Sequence, residues 1–130
     1  MTIDEGRDAS TVRTLWELFE ARAWDRALSL LHPEFEAYWP HTGERIRGPD
    51  NFIRVNSAYP EGWSISIKRV IPANDVVVSE IEVSHVDLGT SYAASFFEMR
   101  DGLIHRATEY WVDDRNQDAP AWRSAWVELD

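Results

Sequence analysis

The spacing of apolar residues divides the chain into a helical first part and an extended second part. Val12, Leu15, Trp16 and Phe19 recur at intervals of three and four, which predicts an amphipathic helix that Ser10 or Thr11 can cap. Trp24 and Asp25 lead into a second short helical stretch with Ala27, Leu28 and Leu31 as its apolar stripe. His32-Pro33 closes it, because the residue before a proline is pushed out of the α region. From Phe35 the period drops to two: Phe35, Ala37 and Trp39 alternate with Glu36 and Tyr38, as in a half-buried strand. A turn at 41–44 and a brief extended return at 45–47 follow, and Gly48-Pro49-Asp50 then opens a helix carrying Phe52, Ile53 and Val55.

The second half reads as strands joined by short turns. Trp63–Ile71, Val76–Val86, Ser91–Met99 and Leu103–Val112 alternate or run apolar, and Asp101-Gly102 between the last two is a strong hairpin signal. A polar stretch then leads to Pro120, which opens a C-terminal helix with Trp122 and Trp126 one turn apart. Packing against the body of the protein is the default for that helix. Residues 1–8 and 114–118 read as loose, and residues 1–130 as a single domain. Helices followed by an antiparallel meander is the α+β pattern, with the helices on one face of the sheet.

Composition narrows the functions open to such a domain. Seven Trp, four Tyr and five Phe are an aromatic surplus that suits a tight core, a lined cavity or an interface. A formal charge of −10, from 23 acidic and 13 basic side chains, repels phosphate backbones and anionic lipid, so neither nucleic acid nor a membrane surface is an expected partner. The absence of Cys excludes disulfides, thiolate metal sites and a Cys nucleophile. Met1 to Ser10 is polar and no run approaches the length of a membrane span, so the cytoplasm is the expected location. No Gly-rich phosphate loop, Gly-x-Ser-x-Gly elbow or metal-type His spacing is present, and neither cofactor nor metal is expected.

Three segments carry a resemblance. They are Leu31-His32-Pro33-Glu34-Phe35, Gly43-Glu44-Arg45-Ile46-Arg47-Gly48, and Phe96 to Ile104 running into Thr108-Glu109-Tyr110-Trp111. Together they resemble SnoaL-like members of the nuclear transport factor 2-like superfamily, over roughly residues 8 to 115. The resemblance implies a cystatin-like α+β cone, with N-terminal helices in the concave face of a curved mixed or antiparallel sheet and a pocket open at one end. It also implies a frequent homodimer through the outer face of the sheet. The superfamily holds ketosteroid isomerases, polyketide cyclases, limonene epoxide hydrolases, dehydratases and non-catalytic members, so fold alone selects no activity.

Glu109 is the leading candidate for chemistry. Alternation groups it with His105, Ala107 and Trp111, opposite Ile104, Thr108 and Tyr110. In epoxide hydrolase-like relatives an acid at the matching position acts as general base on water. Beside Trp111 in an apolar cavity, such a carboxylate would be desolvated and its pKa raised toward a useful range. The plain alternative is a solvated Glu paired to Arg106 or Arg100.

Glu82 is the second catalytic candidate and Glu80 a ligand contact; both lie on one face of a strand that reads as apolar on both sides. The epoxide hydrolase-like pattern has Arg then Asp at these two positions, so with Glu80 in the Arg place that relay is absent. His41, in the turn after Trp39, is the third catalytic candidate, a general acid/base partner for a carboxylate. The expected pocket walls are Trp16, Phe19, Phe52, Phe96, Trp111 and either Trp39 or Tyr38. Alternation favours Trp39, while the family's first-strand pattern leaves that choice open. Tyr38, Tyr92 and Tyr110 are further hydrogen-bond donors of the kind the isomerases use, but the isomerases' Asp base near the end of the first strand is missing.

The expectation is therefore a cofactor-free isomerase, cyclase, hydrolase or dehydratase for a small apolar molecule. The alternatives are a non-catalytic ligand-binding or dimerisation module, or a cone filled by its own side chains.

Overall fold

The computed structural model describes residues 3–114 and 117–130. The elements run α1 (Glu5–Glu20), α2 (Trp24–Leu28), β1 (Leu31–Trp39), β2 (Glu44–Arg47), α3 (Pro49–Ser57), β3 (Trp63–Ala73), β4 (Val76–His85), β5 (Gly89–Arg100) and β6 (Leu103–Asp113), ending in a short 3₁₀ helix, Ala121–Trp126. The strands form one curved, six-stranded sheet in the order β2-β1-β6-β5-β4-β3. All neighbours are antiparallel except β1 and β6, so the sheet is mixed.

Helix α1 buries the predicted stripe, Val12, Leu15, Trp16 and Phe19, against the sheet. It begins earlier than expected. Asp4, rather than Ser10 or Thr11, caps it by accepting the Arg7 N–H at 3.0 Å, and Glu5 and Asp8 place acidic groups at the positive end of the helix dipole. Residues 5–8, read as loose, are thus helical. Of residues 114–118, Arg115 and Asn116 lie outside the described residues.

Leu31 is not helical: α2 stops at Leu28, and Leu31 opens β1 paired with Ile104. His32-Pro33 sits where the β1–β6 register shifts, so Pro33 takes no ladder position that would need its missing N–H. The Asp101-Gly102 hairpin forms as its sequence predicts, both residues having positive φ (55° and 76°).

Alternation along the strands separates two faces. Val77, Ser79, Ile81 and Val83 of β4, Ala93, Ser95 and Phe97 of β5, and Ala107 and Glu109 of β6 are buried beneath the helices. The opposite face carries Glu80 and Glu82 together with Tyr92, Phe96, Tyr110 and Val112, the last four exposed. The expectation that β4 is apolar and buried on both sides is corrected on this point.

The C-terminal segment is a 3₁₀ turn rather than a packed α-helix: Trp122 and Trp126 are 75% and 79% exposed. Among the described residues no helix is long and apolar enough to cross a membrane.

Candidate functional site

A cavity of about 340 Å³ lies between the helices and the concave face, near the lower end of the roughly 300–1,000 Å³ common for ligand pockets. It opens where β1 and β6 finish and β3 and β5 begin, because Trp39 with His41, Trp111 with Asp113, Trp63 and Ser91 come from those strand ends. Four indoles wall it, from Trp16 on α1, Trp39 on β1, Trp63 on β3 and Trp111 on β6. Phe19 and Tyr59 add rings, Val55, Ile65 and Val83 aliphatic surface, and Asn56, Ser91, His41 and Asp113 the polar groups.

Under this cavity runs a polar row across three strands. Ser79 pairs in register with Ser95, and Ser95 with Glu109. Each takes an inward position among Val77, Ile81, Ala93 and Phe97, where an apolar side chain would be expected. The Trp16 indole N–H donates to Ser79 Oγ at 3.0 Å. The Ser95 hydroxyl and the Trp39 indole N–H meet the two oxygens of Glu109, at 2.7 Å to Oε2 and 3.0 Å to Oε1.

Glu109 is fully buried and, among the described residues, no Lys or Arg pairs with it. Burial raises its pKa above the usual carboxylate range. The hydrogen bonds from Ser95 and Trp39, the nearby His41 and the Trp111 indole oppose that rise. The Trp111 N–H adds only polarity, since its Nε1 is buried without a hydrogen-bond partner, as is that of Trp63. Glu109 does not itself line the cavity. Trp39, which does, stands between it and the open space. A carboxylate in this setting can hold a proton at a pH where an exposed one would be ionised, and can release it when a positive charge approaches.

The structure brings Trp16, Phe19, Trp39, His41 and Trp111 together on the cavity, with Glu109 directly behind. The other candidates lie elsewhere. Glu82 is on the opposite face, 2.8 Å from Lys68 Nζ, and Glu80 is 2.8 Å from Arg69 Nε. The residue count along β4 sends both carboxylates outward, where basic side chains of β3 meet them. Phe96 is also outward, 42% exposed and edge-on to Tyr110. Phe52 points inward but is sealed in the core between Phe19 and Phe35, away from the cavity. Tyr38 turns to the face opposite Trp39, with the Arg45 guanidinium 4.4 Å above its ring, which settles the choice on β1. His105 has no partner in the β5–β6 register, and this bulge moves Ile104, not His105, to the buried face.

Sequence reasoning missed Ser79, Ser95, Trp63, Tyr59 and Asp113. Ser79 and Ser95 had a signal: a small polar residue inside an inward apolar series. Trp63 and Tyr59 had none, because their placement depends on how the end of α3 meets β3.

Outside the cavity, His32, Glu34 and His105 bring three potential metal-ligand atoms within 4.8 Å of one another. The chemistry there is unfavourable. His32 Nδ1 accepts the Glu34 N–H at 3.0 Å, which puts the neutral ring's proton on Nε2, and Glu34 faces Arg100 at 3.7 Å.

Comparison with known proteins agrees with this architecture. The family model described as a SnoaL-like domain matches residues 12–107. Among solved structures, the chain is similar to a candidate ketosteroid isomerase from Kribbella flavida, with 25% identity, TM-score 0.89, and 98% of this chain and 93% of that one covered. It is similar to an NTF-2 like protein of unknown function from Burkholderia xenovorans, with 24% identity, TM-score 0.79, and 97% of each chain covered. A Mycobacterium tuberculosis LEH-like epoxide hydrolase shares the fold at 18% identity and TM-score 0.70, over 83% of this chain and 84% of that one. A search of curated protein sequences finds no match.

Proposed function

The chain belongs to the SnoaL-like domain family, whose members include isomerases, cyclases and epoxide hydrolases, and on that premise we propose that it binds a small, largely apolar organic molecule and moves a proton on it without a cofactor. The observation that carries this reading is Glu109: a fully buried carboxylate with no Lys or Arg partner among the described residues, hydrogen-bonded to a wall of the cavity. A structural role alone would be met more cheaply by an amide or an apolar side chain, since a buried carboxyl group carries a desolvation cost. In this reading Glu109 is the proton-transfer group, His41 the acid/base group at the wall, and the four indoles the binding surface. The reaction class is isomerisation, cyclisation, dehydration or water addition, in a cytoplasmic protein.

A second reading, a non-catalytic binding module, has its own support: Trp39 and Ser95 occupy the oxygens of Glu109, and the carboxylate does not line the cavity. One experiment separates the two. Neutral ketones, lactones and epoxides are titrated while the indole N–H signals are followed by NMR, and those that bind are incubated in D₂O with wild type and with Glu109→Gln. Catalysis predicts turnover, or deuterium exchange next to the carbonyl, that the variant lacks at equal binding. Equal binding with no conversion by wild type supports the module.

The proposal includes a homodimer through the outer face of the sheet, supported by the exposed row of Tyr92, Phe96, Tyr110 and Val112 on β5 and β6.

A further inference from the structure

We propose that the cavity selects a small organic cation, of the alkylated-ammonium type, over a neutral molecule of the same shape; this rests on the reading of the cavity as a ligand site. The inference comes from the charges around the cavity. The carboxylate of Asp113 lies on its wall, and that of Glu109 lies one side chain behind, bonded to Trp39. Asp113 Oδ1 accepts the Ser91 hydroxyl at 2.9 Å, a neutral partner that leaves its charge in place. Among the described residues no Lys or Arg lines the cavity or pairs with either carboxylate.

A guanidinium beside the wall strengthens the case. Arg22 lies 3.4 Å from the centre of the Trp63 ring, so a ring of this wall already accepts a cation on its face. The charge of Arg22 is matched by Glu61, whose two oxygens accept from Arg22 Nη2 and Nε at 2.9 and 3.0 Å. It therefore adds little positive potential to the cavity. Among the described residues His41 is the one basic side chain on the wall.

Four indoles, the most electron-rich side-chain rings, thus enclose a space with the Asp113 carboxylate on its wall and, among the described residues, no Lys or Arg. An anion entering it would lose its hydration against the Asp113 carboxylate. A neutral molecule would gain the apolar contact alone. An ammonium group wrapped in methyls would gain the same contact, the ring faces and Asp113, and a protein of net charge −10 draws cations toward it.

Choline and 3,3-dimethylbutan-1-ol differ only in N⁺ for carbon and test the point. Each is titrated into the 130-residue chain at pH 8, above the ordinary histidine range, while the indole N–H signals of its seven Trp are followed by NMR. Choline is expected to saturate at roughly tenfold lower concentration. It should shift the Trp39, Trp63 and Trp111 signals and leave those of Trp122 and Trp126 in place. Asp113→Asn should bring the two compounds closer together. Equal or tighter binding of the alcohol overturns the cation inference and leaves the pocket reading standing. If neither compound shifts the cavity indoles, the cation inference falls; the pocket reading falls with it only if the neutral panel also fails to bind.

Discussion

Trp39 donates its indole N–H to Glu109 Oε1 at 3.0 Å, so a wall of the cavity and its buried carboxyl group are one hydrogen-bonded unit. The pH dependence of stability should report on that unit. Burial raises the Glu109 pKa above 4.5, so the folded chain holds this proton more tightly than the unfolded chain does. Its contribution is fully present below the ordinary carboxylate range and is lost as pH rises through the folded-state value. In Glu109→Gln the amide keeps an acceptor for Trp39 and a donor for Ser95, with no charge to desolvate. The variant should match wild type near pH 4 and exceed it in Tm by several degrees at pH 8. Parallel Tm curves for the two proteins across that range would show that Glu109 does not hold its proton against burial.

Trp39→Phe keeps a ring on the wall and removes the donor. A hydrogen bond to a charged group is worth about 1.5–3 kcal/mol and one to a neutral group about 1. Denaturant unfolding should therefore show the larger loss at pH 8 and the smaller near pH 4. Because the indole N–H opposes the upward shift at Glu109, its removal should also steepen the fall in stability with rising pH. A loss of the same size at both pH values would mean that only packing changed.

The path from sequence to site explains which of these groups were visible beforehand. Period-two alternation holds along β4, β5 and the second half of β6, so the inward positions of Glu109 and Trp111 could be counted directly, whereas on β1 alternation only favoured Trp39 over Tyr38. Counting failed where the register shifts. The bulge at His105 exchanged it with Ile104, and the irregularity around Pro33 turned an apparent helix stripe at Leu31 into a strand. Glu80 and Glu82 misled for another reason. Val76 and Val78 share their face, and apolar neighbours made an outward series look buried until the register placed Arg69 opposite Glu80 and the Lys68 ammonium on Glu82. The closure of the cavity by Trp63 and Tyr59 depends on contacts between segments far apart in the chain, which no local pattern encodes.

Glu82→Gln provides the contrast to Glu109→Gln. The Lys68–Glu82 pair is half-exposed, with side-chain accessibilities of 47% and 31%, so water and salt screen it and its loss should leave the unfolding midpoint unchanged within error. The indole signals of the cavity should not move, and ligand affinity should equal that of wild type. A shifted Trp39 or Trp111 signal would return Glu82 to the site.

The outer face of the sheet supplies the last test. Phe96 and Tyr110 meet edge to face at 6.2 Å and are 42% and 49% exposed, with Val112 at 60% beside them. An apolar row of this kind on adjacent strands is suited to a two-fold contact in which the same residues from each copy cover one another. Phe96→Glu puts a charge into the row, and two copies would bring like charges together on burial. The substitution leaves the inward residues Phe97 and Ser95 untouched, so the circular dichroism spectrum should be retained. Light scattering should give a dimer mass for wild type and a monomer mass for the variant at the same concentration. Wild type running as a monomer would remove the dimer from the proposal, and a variant that stays dimeric would move the interface away from β5 and β6.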